Sequence, residues 1–260
     1  MQRLQRLVSG LPLATAPMLA TAQTPLLVPQ LVKLAEQKQC VQEAEQAFCA
    51  EIRLLAETTG VAWLDQALLA RLALTEEKSK PADAQVQIQQ QAKAWLAEKH
   101  AEISKVRSSA APYTVGFEHS DSIRFIAQRN HLASFKQFTY GYSGGAHGMY
   151  NTSYVLFDLT TQQQLRLTDL LQDGAQAKLL DALRQSYIEN YPEYVENWLS
   201  NDPTEQAASL LTDNFIFNEQ GLTFSYAPYA LAPYSEGEVR LTLDYSALSE
   251  LLKPEYVLDN

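Results

Sequence analysis

Residues 132–159 read LASFKQFTYGYSGGAHGMYNTSYVLFDL, and their reading decides the fold. LASFKQFTYGY (132–142) and TSYVLFDL (152–159) carry the two-residue period of half-buried strands. Between them, Gly141, Gly144, Gly145 and Gly148 fall within eight positions, where they permit positive φ and close backbone approach. The stretch reads as two paired strands joined by a wide connection. Tyr140, Tyr142, Tyr150 and Tyr154 gather round the bare backbone.

The same residues match G-x-S-x-G at Gly141–Gly145, which makes Ser143 a candidate nucleophile. That chemistry needs a strand turning sharply into a helix, so that the hydroxyl stands beside a helix N-terminus. Here a strand-like run comes after Gly145. The hydrolase order also needs an aspartate and then a histidine well beyond the serine, but only His147 lies beyond it; His100, His119 and His131 precede. A serine hydrolase stays as an alternative, and the preferred reading is a glycine-rich turn with no catalytic residue. His147 reads first as a turn residue bonding a neighbouring strand, with partner binding kept open. There is no H-x-H, H-E-x-x-H or histidine cluster, so neither a metal nor a cofactor is expected.

Working outward, YTVGFEH (113–119) and SIRFIAQ (122–128) read as further strands. Residues 175–191 read as a helix ended by Pro192, after a helix start at Thr168 and Asp169. NFIFNEQGLTFSYAPYAL (214–231) reads as a hairpin turning at Gly221, and GEVRLTLDYSALSELL (237–252) as a last strand and a short helix. Upstream, residues 51–59 are ambiguous between strand and helix. Residues 61–74 place Trp63, Ala67, Leu68 and Leu72 on one helical face. A polar linker with Pro81 comes next, then a helix over 85–107 striped by Ile88, Ala92, Trp95, Leu96, Ile103 and Val106. The sum is an α+β fold, an antiparallel sheet with helices packed on one side.

Residues 151–260 hold 17 Asp+Glu against 5 Lys+Arg, a net of −12, while residues 1–150 net +2. Such an acidic half repels phosphate backbones and attracts cationic partners, which makes nucleic acid a poor ligand. No run approaches eighteen consecutive apolar residues, so the chain is not expected to span a membrane. Residues 1–22 resemble a signal peptide: Arg3 and Arg6, a modest apolar stretch, then Ala20-Thr21-Ala22. The two cysteines, Cys40 and Cys49, would lie roughly 13 Å apart on one unbroken helix, too far to bridge. If they pair, the segment between them turns; the alternative is two free buried thiols. An even count beside a signal-like start favours the disulfide and a periplasmic or secreted protein.

The string YGYSGGAHG (140–148), succeeded by NTSYVLFDLTTQQQLRLTDLL (151–171), resembles the RsiV-like domain. FIFNEQGLTFSYAPYALAPYSEGEVRLTLDYSALSELL (215–252) is similar to that family's ending. Residues 50–110 more faintly resemble the domain that usually precedes it, also found on peptidoglycan deacetylases of the PdaC type. The division is then 1–22 signal peptide, 23–110 helical region, 111–260 RsiV-like domain. Ser143 stands where the family usually has Thr, and Gln163 or Gln164 where it often has Gly. An interchangeable hydroxyl speaks against an activated nucleophile. The resemblance implies an extracytoplasmic, non-enzymatic binding protein whose best understood relatives bind lysozyme. Its partner would be lysozyme, another basic protein, or peptidoglycan. The binding residues would be Tyr140, Tyr142, His147, Tyr150, Tyr229 and Tyr234.

Overall fold

The computed structural model describes residues 24, 26–43, 45–75, 84–108 and 116–257. The signal-like residues 1–22, Tyr113 and Pro81 lie outside them. The fold is α+β, with a six-stranded sheet, a three-stranded antiparallel sheet and seven α-helices among the described residues. No described helix is long and apolar enough to cross a membrane.

The large sheet runs in chain order: β1 (Gln30–Glu43), β2 (Gln46–Thr58), β3 (Phe117–Arg129), β4 (Leu132–Tyr142), β5 (Met149–Asp158) and β6 (Gln163–Leu165). Every neighbouring pair is antiparallel except β2–β3, which is parallel and so departs from the all-antiparallel expectation. The cause lies in the connection. Parallel strands need a crossover of a dozen residues or more, and α1 (Ala62–Ala70) and α2 (Ala84–Ser108) supply it. The region 23–110, expected to be helical, therefore opens with a hairpin of two long strands. Strands from both sides of residue 110 share one sheet.

The described part of the expected strand 113–119 and the expected strand 122–128 run on as the single strand β3, because Asp121 at the polar break is buried and paired. Its carboxylate accepts from Gln137 Nε2 at 3.1 and 2.8 Å, and Gln137 Oε1 accepts from Arg71 Nε at 3.0 Å. The hairpin β1–β2 sets Cys40 opposite Cys49 with Cα atoms 4.0 Å apart, and the two are bridged. The intervening turn brings together residues that a helix would have separated.

Alternation along the strands splits the interior into two cores. Ala133, Phe135, Val155 and Phe157 face Leu64 and Leu68 of α1 and Ile88, Ala92, Leu96 and Ile103 of α2. Leu132 and Leu156, offset by one residue, belong to the other core. That second core contains Leu179, Leu183 and Tyr187 of α4 (Gln176–Asn190) and the small sheet of β7 (Phe215–Phe217), β8 (Gly221–Tyr226) and β9 (Val239–Asp244). Each fully buried Leu, Ile or Phe side chain contributes roughly 1.5–3 kcal/mol. Short helices α3 (Leu167–Leu170), α5 (Val195–Trp198), α6 (Pro203–Leu210) and α7 (Tyr245–Leu248) close the connections. Sequence periodicity leaves α5 and α6 unassigned, because helices of four and eight residues show too few turns of pattern.

The second core is joined to the large sheet through β5, whose pairing with β6 covers only Leu156–Asp158. Beyond it, Asn214 Oδ1 accepts from Tyr154 N at 2.7 Å, and Asn214 Nδ2 donates to Thr152 O and Ser225 O at 2.8 Å each. Glu238 Oε1 accepts from Thr152 N at 2.6 Å. Two side chains thus stand in for a missing strand.

Candidate functional site

The connection 143–148 closes the β4–β5 hairpin, and Gly144 and Gly145 take φ of 91° and 94° there. Residues 144–146 bend, and the chain then runs directly into β5 at Met149. Ser143 therefore leads into a strand, where a nucleophile elbow requires a helix. It is a turn residue. His147 also points elsewhere: its Nδ1 donates to Gly148 O at 2.9 Å. The carbonyl can only accept, so Nδ1 carries a proton.

Across this turn lies the segment 227–237, held down by three phenols. Tyr187 of α4 donates to Leu231 O at 2.5 Å, inside the core. Tyr234 donates to Gly148 O at 2.9 Å, and Tyr194 to Glu236 Oε2 at 3.1 Å. Burial pushes the Tyr187 phenol up to about 12, so it remains a donor at any physiological pH.

These anchors assemble a shelf of rings. His147 stacks on Tyr234 with centroids 4.1 Å apart and planes at 22°. Tyr150 meets Tyr234 edge to face at 5.9 Å, and Tyr229 lies 5.5 Å from it. Phe138 stacks behind Tyr150 at 6.2 Å. Tyr140 sits directly opposite Tyr150 in the β4–β5 ladder. Its ring occupies space that only glycine leaves free, since a Cβ at Gly148 would stand 2.4 Å from the Tyr140 hydroxyl. Burial, then the Glu118 carboxylate, raises the Tyr140 phenol above its usual range.

Of the six residues proposed from sequence, Tyr140, His147, Tyr150, Tyr229 and Tyr234 are brought together. Tyr142 bonds its own turn instead, donating to Gly145 O at 3.0 Å. Sequence reasoning missed Phe138, Tyr187 and Tyr194. The spacing of Tyr187, Tyr191 and Tyr194 at the end of a helix was the available signal for the last two.

Tyr229 is the most constrained member. Pro228 and Tyr229 are the central residues of a turn closed by Ala230 N–H donating to Ala227 O at 3.0 Å. Tyr229 takes φ 69°, a position that glycine normally fills, and it is 48% exposed. The shelf offers flat π faces, phenol donors and one imidazole ring. Among the described residues no group of three or more His, Cys, Asp or Glu is placed to hold a metal ion.

Residues 168–246 match the model of a family described as "Protein of unknown function (DUF3298)". That segment is similar to the DUF3298 domain. It contributes Tyr187, Tyr194, Tyr229 and Tyr234 to the site, while the β4–β5 turn that they cover precedes it. The fold is shared with solved structures. A DUF3298 family member from Bacteroides fragilis NCTC 9343 superposes with a TM-score of 0.66 at 17% identity, covering 89% of this chain and 96% of that one. A DUF3298 family protein from Pseudomonas aeruginosa PAO1 gives 0.59 at 19% identity, covering 91% and 99%. No curated protein is similar enough to the chain to count as a match.

Proposed function

We propose that this protein is an exported, non-enzymatic binding module of the cell envelope, whose aromatic shelf engages a basic protein such as lysozyme. The observation that carries the reading is Tyr229, a bulky ring kept exposed in a glycine conformation at the edge of the shelf. Strain of ~1–2 kcal/mol at such a residue persists where the exposed ring has a use. Two further features support it. The shelf lies at the edge of the acidic half, with Glu236 beside it, and aromatic rings attract Lys and Arg side chains. The Cys40–Cys49 disulfide agrees with an oxidising, periplasmic or secreted location. In this reading residues 111–260 act as an RsiV-like domain, and residues 23–110 as the PdaC-type region preceding it.

The test is calorimetric titration of the disulfide-bonded protein with lysozyme at low and at physiological salt. Saturable binding that weakens with salt is expected, together with a loss of roughly tenfold or more in Tyr229→Ala. Tyr229→Gly separates binding from folding. It relieves the strained φ while glycine adds unfolded-state entropy, so we expect a net stability gain of roughly 0.5–1 kcal/mol alongside weakened binding. No heat at either salt, or full affinity in both variants, overturns the proposal. Ser143→Ala should leave binding unchanged.

A further inference from the structure

Helix α2 carries a second set of side chains beside its buried stripe. Gln87, Gln90, Gln91, Ala94, Trp95 and Glu98 recur at spacings of three and four, which puts them on one helical face. With Leu74 and Thr75 they line an open cleft of about 460 Å³. That volume lies within the range of roughly 300–1,000 Å³ typical of small-molecule sites.

The chemistry of this cleft narrows its ligand. One wall is braced: Gln91 Oε1 accepts from Leu74 N at 3.0 Å, and Gln91 Nε2 donates to Thr75 Oγ1 at 2.6 Å. The mouth sets one cation against two carboxylates. Lys99 Nζ lies 3.1 Å from Glu98 and 3.0 Å from Glu102, so its charge is already matched and an anion meets no free countercharge there. What remains is the half-buried indole of Trp95 and the exposed amide of Gln90. The indole is backed by the His119 ring at 6.0 Å. The Nε2 of His119 is buried with no hydrogen-bond partner among the described residues, and burial lowers its pKa, which favours the neutral ring.

An amide supplies donors and an acceptor together, which is what a hydroxyl requires. An indole face packs against an apolar C–H surface while its N–H seeks an acceptor. An uncharged ligand with apolar faces and a hydroxyl rim satisfies both. We propose that the α2 cleft is a binding site for a neutral saccharide, with Trp95 as the stacking surface and Gln90 as a hydroxyl partner. This site is independent of the aromatic shelf.

The experiment titrates the full disulfide-bonded chain with the N-acetylglucosamine trimer, with maltotriose, and with trialanine as a neutral peptide control. Saturable binding of at least one saccharide below ~10 mM is expected, weaker by roughly tenfold in Gln90→Ala and in Trp95→Ala. Tyr229→Ala should leave it unchanged, which separates this site from the lysozyme reading. Gln90 is exposed, so its variant tests the site without disturbing the core; urea unfolding of Trp95→Ala shows whether that variant folds. The proposal is overturned if neither saccharide binds by ~10 mM, if only trialanine binds, or if Gln90→Ala binds as the parent does.

Discussion

The six-stranded sheet ends in two ways. On the β5 side, where β6 covers only three residues, Asn214 and Glu238 fill the open ladder positions of Thr152 and Tyr154 with side-chain atoms. On the other side β1 runs for fourteen residues with no strand beyond it among the described residues. It is blunted instead by a bulge between Lys33 and Ala35 and by the exposed Lys33 and Lys38. The difference stems from burial. Backbone groups at the junction of two cores have no water to turn to and must be paired by protein. A solvated edge needs only to be unattractive to other strands.

Breaking the sealed edge should have the largest effect. Asn214→Ala removes three hydrogen bonds and leaves Thr152 O, Tyr154 N and Ser225 O unsatisfied, at a cost of about 4 kcal/mol. Chemical denaturation measures this. A loss under ~1 kcal/mol would mean that water enters the junction and pairs those groups as well as Asn214 does.

Between the edges the sheet hides Asp121, only 6% exposed, whose carboxyl burial raises to about 6 from an ordinary 3.8. The folded form therefore holds the proton more tightly than the unfolded one. Stability contributed by the protonated group is fully present below pH 3.8, is lost as pH rises towards about 6, and is flat above. A fall of roughly 2.4 kcal/mol between pH 4 and 7 is expected in the parent relative to Asp121→Asn. Parallel pH profiles of the two proteins would show instead that the Arg71 and Gln137 contacts keep the carboxylate ionised throughout.

Much of this was readable locally. The 132–159 hairpin, the α2 stripe and the 214–231 hairpin each advertise their period within a dozen residues. β1 did not, because the bulge between Lys33 and Ala35 shifts its alternation by one residue, so that Val32 and Leu34 before it and Ala35 and Val41 after it meet the same core. The single strand β3 hid behind Ser120-Asp121-Ser122, polar residues whose burial depends on Gln137 and Arg71 far away in the chain. The site divides the same way. Tyr140 and Tyr150 are placed by strand pairing, whereas the bond from Tyr234 to Gly148 spans 86 residues and has no local signature.

At the open edge the disulfide closes a short loop, so Cys40→Ser with Cys49→Ser should cost roughly 2–3 kcal/mol, read as a lower urea midpoint. The smallest effect on stability, and the sharpest test of the comparison, is Lys33→Thr with Lys38→Thr. Both lysines are exposed and engaged only in surface ion pairs, with Glu36 and Glu51, so the fold should change by under ~1 kcal/mol. The edge itself should change more. With its lysines gone and its donors and acceptors still unpaired, β1 becomes a template for another strand, and self-association should appear in sedimentation at high protein concentration. A variant that stays monomeric would assign the blunting to the bulge at Lys33/Ala35. The two edges would then differ in backbone geometry, with charge contributing little.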